Sequence, residues 1–420
     1  MKQLAVICVV FCLLSLYAQK LLAYDEFDEA YAPNNVSLHF QDLSFQIKGR
    51  MRLGLHDLEG SGGPGYDSPT DTQTIGTRSP FVELDSFDLA FRLQWMRMLA
   101  LNSSVEFLTS GARLSNIYFA YSANLHDKLH HKAELGYLQP IFATHRYTAR
   151  YPLIASVNWK NAEYHAAYKL KYQINNENAI SLALAASMQR PLKSEPLHSS
   201  PTYKGSFSIL AYGNARAFSG NSVAATALLR FESHGLALEG FGFIGKLSTH
   251  QGLDILIADF PHYRLSPKHN PDAKSGLAYL AGGRIYFEKH GFHFLAEAIF
   301  NRTGQLKHFG YYAQAGLELS RKSTWFHSMM FLLRYEQLLL LDSSRPLNSS
   351  YAMRSPEQSN AISWDYSIAT LAIHAKILRE FLTIRLEYAM IFERNDVPAL
   401  AQRNLDVDNN ELLVQLEAIF

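Results

Sequence analysis

The sequence predicts an antiparallel β-barrel of 16–18 strands that crosses a membrane and is preceded by a cleaved signal peptide. Three observations support this prediction. Apolar and polar residues alternate with a period of two along most of the chain, so each run has one apolar and one polar face. Many runs exceed the about 5–6 residues of a typical soluble strand and reach the about 9–11 residues that a tilted strand needs to cross a bilayer. Their connections alternate between short and long, which is typical of outer-membrane barrels.

The first residues, 1–23, have the features of a secretory signal peptide. Lys2 precedes an apolar run from Leu4 to Ala18, which is shorter than the about 20 residues of a membrane-spanning helix. Ala18 and Ala23 are both small enough to precede a cleavage site, so the cleavage position stays open. A buried N-terminal helix or an uncleaved anchor is the alternative interpretation.

Composition excludes several classes of protein. Both cysteines, Cys8 and Cys12, lie in the predicted signal peptide, so the mature chain has no disulfide and no cysteine nucleophile. No other apolar stretch is long enough for a membrane-spanning helix. A net charge of +1, with only 18% charged residues, argues against a nucleic-acid partner. We expect no cofactor and no metal.

The barrel is assigned to 43–420 and follows a short periplasmic segment at 24–42. Its first strand, 43–56, has an apolar face that runs from Leu43 to Leu55 and a polar face between these residues. In a membrane barrel the apolar face points to lipid, whereas in a soluble β-sandwich it would point into a core. This strand alone is compatible with both.

Eighteen runs qualify as strands, and the weakest alternation is in 114–122, 130–139 and 152–159. Merging two of the runs, or losing a pair, would give sixteen. The eighteen candidates are 43–56, 84–96, 99–109, 114–122, 130–139, 152–159, 162–172, 179–189, 203–213, 222–232, 236–247, 276–288, 291–301, 309–320, 326–340, 363–376, 380–393 and 410–420.

The connections support a barrel with both ends of the chain in the periplasm, where the first connection is long and every second one is short. The proline-rich connection 190–202 breaks this alternation. The tight turns are 96–98, 160–161, 233–235, 289–290 and 378–379, and the long connections are 57–83, 140–151, 248–275, 341–362 and 394–409. A soluble sandwich gives no reason for such an alternation.

The last strand, 410–420, ends on a free aromatic residue, Phe420, and alternates back through an apolar set from Ala418 to Leu412. We expect this strand to close the ring against the first strand. We assign Phe420 to the signal that the barrel-assembly machinery recognises.

The region 84–172 resembles the phosphate-selective porin family, the porins O and P. In that family, a Gly-Arg pair in the first strand is followed by two hairpins, a strand with a glycine and a nearby Pro-Phe, and an inward-folded basic segment. The corresponding features here are Gly49-Arg50, 87–95, 101–107, 134–142 and 143–152. The resemblance covers about a third of the chain and implies a sixteen-stranded, often trimeric channel. Eighteen strands would instead suit a maltoporin-like barrel.

Basic residues on the polar faces are the candidate pore-lining residues, because charge at the narrowest point sets selectivity in such a pore. The segment 140–152 is the candidate constriction, and a plain surface loop is its alternative. The candidates are Lys48, Arg50, Arg52, Arg92, Lys169 and Lys171 on strands, and His145, Arg146 and Arg150 in this segment. Carboxylates on the same faces oppose them.

These features together predict an outer-membrane porin for passive diffusion of small hydrophilic solutes, with a mild preference for anions. The alternative is a non-conducting barrel that acts as an adhesin or a structural protein through loops 248–275 and 341–362. The scattered histidines give no recognisable catalytic set, so we expect no enzyme. The expected partners are outer-membrane lipid, lipopolysaccharide, the barrel-assembly machinery and small solutes or ions, with a homotrimer as the assembly that the resemblance suggests.

Overall fold

The structure is a computed structural model, in which no helix of the described residues is long and apolar enough to cross a membrane. The described residues are 36–58, 80–96, 98–108, 111–143, 147–149, 152–153, 162–188, 191–196, 208–212, 223–246, 248–249, 277–303, 306–320, 323, 325–341, 365–378, 381–394 and 410–419. The predicted signal peptide therefore lies outside them.

Twenty strands are present in these residues. They are β1 (Val36–Phe40), β2 (Leu43–Leu58), β3 (Phe81–Trp95), β4 (Leu99–Leu108), β5 (Gly111–His126), β6 (Leu129–Leu138), β7 (Glu163–Asn175), β8 (Asn178–Met188), β9 (Pro191–Pro196), β10 (Ser208–Tyr212), β11 (Val223–Ser233), β12 (Leu236–Lys246), β13 (Ser248–Thr249), β14 (Leu277–Lys289), β15 (Phe292–Thr303), β16 (Leu306–Ser320), β17 (Phe326–Leu340), β18 (Asp365–Ile377), β19 (Leu382–Arg394) and β20 (Glu411–Ile419).

Sixteen of these strands form a closed antiparallel barrel, which confirms the predicted fold class and decides the strand count. The barrel strands are β2–β8, β11, β12 and β14–β20, each paired with its neighbours in chain order. The ring closes because β20 pairs with both β19 and β2, as expected from the alternation in the last strand. The two weak candidates 114–122 and 130–139 are the barrel strands β5 and β6.

Two of the eighteen candidate strands do not belong to the barrel wall. Of 152–159, only Pro152 and Leu153 are described, and both are buried inside the barrel between β6 and β7 in the chain. Of 203–213, the described part is β10, which pairs with β9, and β9 pairs with β13 in a separate three-stranded sheet. An apolar alternation predicts an extended or buried segment, but it does not say which sheet the segment joins.

Without these two candidates, the connection 190–202 no longer interrupts the alternation, because it becomes part of the long connection between β8 and β11. Most of the tight turns lie at the other end of the barrel, among them 127–128, 176–177, 234–235 and 290–291. Two short connections, 109–110 and 304–305, lie at the same end as the long ones, so the alternation of lengths is incomplete. The predicted turn at 160–161 lies outside the described residues, and the whole stretch 139–162 connects β6 to its partner strand β7. Two tight turns use His-Gly pairs in the left-handed region, at 234–235 and 290–291, a conformation in which glycine carries no steric penalty.

The wall has an apolar outer face and a polar inner face. Arg52 on β2 is 9% exposed, whereas the flanking Met51 and Leu53 are 43% and 38% exposed. The same contrast recurs around the ring, so large apolar side chains form an outer belt while buried charged and polar side chains line the interior. This orientation is the one that a hydrocarbon environment selects.

The first described strand extends one edge of β2. β1 pairs with the start of β2, with Val36 opposite Ile47, and β20 pairs with the later part of the same edge, with Ile419 opposite Arg50. Along this edge of β2, β1 therefore continues the line of β20.

Candidate functional site

The connection between β6 and β7 enters the interior of the barrel. Its described residues are 139–143, 147–149, 152–153 and 162. Phe142 and Leu153 are 0% exposed, and Thr148 and Ala149 are also buried. Because a connection outside the barrel would expose these side chains, the described part of this inward segment, 139–162, lies within the ring of strands.

Carboxylates on the far wall hold the backbone of the inward segment. Ala149 N donates to both carboxylate oxygens of Glu387 on β19, at 2.8 and 2.9 Å. Leu153 N donates to Glu336 Oε2 on β17 at 2.5 Å, and Arg334, on the same strand, donates to Thr148 Oγ1. Such bonds satisfy backbone donors that would otherwise be buried without a partner, and charged acceptors make them strong.

The start of the inward segment is fixed by one arginine and one aromatic ring. Arg284 Nη2 on β14 donates to the carbonyl oxygen of Phe142 at 2.6 Å. The Phe142 ring stacks on Phe241 of β12 with centroids 5.4 Å apart, and the Arg284 guanidinium lies 5.3 Å from the Phe241 centroid. Stacking and cation–π contacts of this kind favour a single position of the segment.

Tyr147 reaches towards the end of the barrel that carries the tight turns. Its hydroxyl donates to Tyr286 on β14 at 3.3 Å, and its ring centroid lies 6.3 Å from that of His293 near the start of β15. Burial raises the pKa of the Tyr147 hydroxyl, which therefore stays protonated as a donor at neutral pH. Tyr147 of the inward segment therefore contacts the wall close to the turn between β14 and β15.

Buried charges on the inner wall are compensated by neighbours on adjacent strands. Arg284 pairs with Glu239 at 2.6 Å and with Glu297 at 2.8 Å, and Arg385 pairs with Glu417 at 2.6 Å. An uncompensated charge in this position would cost several kcal/mol, or about 3–5 kcal/mol when one partner of a buried pair is removed. The wall that supports the segment is therefore held by an ion-pair network.

The strand residues predicted to line the pore all lie on the inner wall, and each of them interacts with other residues. Arg50 pairs with Asp88 and Arg52 with Glu417, both at 2.7 Å. Lys169 pairs with Glu134 at 2.7 Å, and Lys171 pairs with Glu232 at 3.2 Å. Lys48 and Arg92 occupy inner positions on β2 and β3. The predicted constriction residues His145, Arg146 and Arg150, and the predicted assembly residue Phe420, lie outside the described residues.

In most of these pairs the basic side chain is the more exposed partner. The Lys169 side chain is 39% exposed against 4% for Glu134, and that of Arg230 is 36% exposed against 6% for Glu239. Long basic side chains lie along the wall and extend their charged ends into the lumen, while the shorter carboxylates stay against the backbone. In these pairs the charge that is more exposed to the lumen is therefore the basic one.

The sequence did not identify the anchoring role of Glu336, Glu387, Arg284 and Arg334. The alternation of apolar and polar residues places these four residues on the polar faces of their strands, but it does not indicate what they bind. Their contacts join residues far apart in the chain, 238 positions apart for Ala149 and Glu387. A pairing over that distance depends on the path of the inward segment, which the alternation does not reveal.

A closed barrel with an apolar outer belt and a charged interior is a multi-pass β-barrel of the bacterial outer membrane. Within this class, solved structures share the fold. An anion-selective porin from Comamonas acidovorans matches with a TM-score of 0.53 and 8% identity, over 90% of this chain and 100% of that chain. The outer-membrane channel DcaP of Acinetobacter baumannii matches with a TM-score of 0.53 and 10% identity, and Salmonella typhi OmpF in complex with daunomycin with 0.53 and 8%, each over 92% of this chain and 100% of its own.

At these identities the likeness shows the fold alone. No family model matches the chain, and a search of curated proteins finds no match either. The shared fold is that of outer-membrane porins in general, and the resemblance to the phosphate-selective family stays a prediction.

Proposed function

We propose that the protein is a porin, a water-filled channel through which small hydrophilic solutes diffuse passively across the outer membrane. The observation that carries the proposal is the inward segment, whose backbone is bound to Glu387 and Glu336 on the far wall. A segment held across the lumen reduces the free cross-section of the pore. Charged side chains on the inner wall keep the remaining space favourable for water and hydrated solutes.

A mild anion preference belongs to the same proposal. The stretch 139–162 contains His145, Arg146, Arg150 and Lys160 but no aspartate or glutamate. The ion pairs of the wall also present their basic ends to the lumen, as for Lys169. Screening by salt over about 8–10 Å limits the effect, and the carboxylates on the wall oppose it.

Conductance in a planar bilayer tests the proposal. We expect stepwise ion currents from the purified barrel and a reversal potential in a salt gradient that indicates anion preference. The double variant Arg146→Ala/Arg150→Ala should shift this potential towards cations, because both charges are lost from the narrow section. The single variant Arg113→Ala, which removes an exposed arginine outside this segment, is the control.

A barrel without ion currents would favour the alternative, an adhesin or structural protein. Its proposed binding loops, 248–275 and 341–362, lie outside the described residues except for Ser248, Thr249 and Leu341. A reversal potential that does not move in the double variant would remove Arg146 and Arg150 from the constriction. We also propose a homotrimer, on the basis of the sequence resemblance, and mass measurement in mild detergent tests it.

A further inference from the structure

The position of β1 restricts the path of the chain that precedes it. β1 pairs with β2 through Val36, which lies opposite Ile47, and β20 occupies the same edge of β2 from Arg50 onwards. Only two residues of β2 separate the two strands along this edge, so the wall has no edge along which β1 could extend backwards. The preceding stretch 24–35, here called the acidic segment, therefore leaves the line of the wall, either outwards or into the lumen.

The outer side of this exit point is apolar, and the acidic segment is not. Leu38 and Phe40, nearer the rim on the outer face of β1, are 65% and 74% exposed, and Met51 continues the apolar belt beyond the exit point. The acidic segment contains four aspartates and glutamates but no lysine, arginine or histidine. Carboxylates are costly in hydrocarbon, whereas the interior of a membrane barrel is polar. The lumen is consequently the favourable side.

The inner side of the exit point is basic. In the halves of β2, β3 and β20 nearest to β1, the described inner positions carry four basic and two acidic residues, which are Lys48, Arg50, Arg52 and Arg92 against Asp88 and Glu417. A guanidinium group has five N–H donors and an ammonium group three, so a basic side chain that binds one carboxylate keeps the capacity to bind another. The Arg50 side chain, for example, pairs with Asp88 and is still 26% exposed.

We propose that the acidic segment enters the lumen and binds this basic inner surface through its carboxylates, as a tethered plug that narrows the pore. Both possible cleavage positions of the signal peptide, after Ala18 and after Ala23, leave the segment in the mature chain. Twelve extended residues span up to about 40 Å, which is more than the about 30 Å thickness of the hydrocarbon core. Because the tether holds the segment at an effective concentration of about millimolar, weak charge-assisted contacts are sufficient for binding.

Thiol labelling tests the location of the segment and does not require a conducting channel. The mature chain has no cysteine, so Asp28→Cys introduces a single thiol into the acidic segment. We expect a small maleimide to label this variant of the purified barrel, and a maleimide on a polyethylene glycol chain too large for the pore to label it severalfold more slowly. Asp42→Cys is the control, because Asp42 is exposed in the turn between β1 and β2 and should react with both reagents.

Single-channel conductance tests the contacts and rests on the proposed channel function. A variant that replaces the four carboxylates by amides should conduct severalfold better at low salt, and the difference should shrink at high salt, since salt screens the contacts that hold the unmodified segment. This variant is Asp25→Asn/Glu26→Gln/Asp28→Asn/Glu29→Gln. The control Asp127→Asn/Glu177→Gln removes two exposed carboxylates from tight turns and should conduct like the unmodified protein.

The two measurements separate failure of the plug from failure of the channel. Equal labelling of Asp28→Cys and Asp42→Cys by the large reagent would place the segment outside the lumen and overturn the plug. An unchanged conductance of the amide variant at low salt would overturn binding through the carboxylates. If neither the unmodified protein nor the amide variant carries current, the channel function is contradicted, and the labelling result still decides where the segment lies.

Discussion

At the scale of single residues, the carboxylate of Glu387 illustrates how a buried charge can organise a segment from across the lumen. It accepts two bonds from one backbone N–H group, that of Ala149, and a third contact from His374 Nε2 at 3.0 Å. Several hydrogen-bond donors offset the cost of burying the charge of this carboxylate, and the carboxylate in turn provides each buried donor with an acceptor. The position of the inward segment thus depends on a few side chains of the wall.

Replacing Glu387 by Gln should loosen the inward segment. The amide offers one acceptor oxygen in place of two and directs an N–H group at Ala149, and a buried donor left unsatisfied costs about 1–3 kcal/mol. We expect a larger and noisier single-channel conductance in a planar bilayer. Glu106→Gln is the control, because Glu106 is an inner-wall carboxylate that pairs with Arg113 on the neighbouring strand β5. Equal conductance and noise in both variants would show that Glu387 does not position the segment.

At the scale of elements, the ring depends on one strand, β20, which pairs with β19 on one side and β2 on the other. Its inner positions, Gln415 and Glu417, are buried, whereas Leu416 is 41% exposed on the outer wall. Glu417 binds Arg52 and Arg385 from the two neighbouring strands. Backbone hydrogen bonds, the apolar outer belt and the ion pairs of Glu417 therefore all stabilise the closed ring at β20.

Deleting Phe420 should reduce the amount of folded barrel, because the residue continues the outward-facing apolar set of the strand that closes the ring. We expect less heat-modifiable protein in the outer-membrane fraction and more degradation products in the periplasm. Phe420→Tyr, which keeps an aromatic ring, should assemble normally. Equal amounts of folded barrel with and without Phe420 would exclude it from the assembly signal.

At the scale of the whole molecule, every barrel strand pairs on both edges, so unfolding any one strand exposes unpaired backbone groups on two others. We therefore expect the barrel to resist dodecyl sulfate without heating. Unboiled and boiled samples should migrate differently on a detergent gel, with the boiled form as the internal control. Recovery of the protein in the soluble periplasmic fraction would contradict the outer-membrane assignment.

The period of two in the sequence was sufficient to predict the barrel and the faces of its strands, including Arg50 and Arg52 on the inner side. The period of two could not distinguish a strand of the wall from a segment inside the lumen at 152–159. Leu153 is apolar because it is buried inside the barrel, and not because it faces lipid. The candidate site was predictable as a location, the connection after β6. Its anchors were not, since they depend on contacts such as that of Phe142 with Arg284, 142 positions away.

The shared edge of β2 brings together the first and last described residues, Val36 and Ile419. Ile419 lies opposite Arg50 and Val36 lies opposite Ile47, so only Lys48 and Gly49 separate the two levels along β2. The described ends therefore meet at one place on the rim, and they run in the same direction. A circular permutant could join these two ends through a short linker and open the chain at the tight turn 127–128. It would preserve every strand pairing of the wall, and β20 and β1 would become one continuous strand along β2.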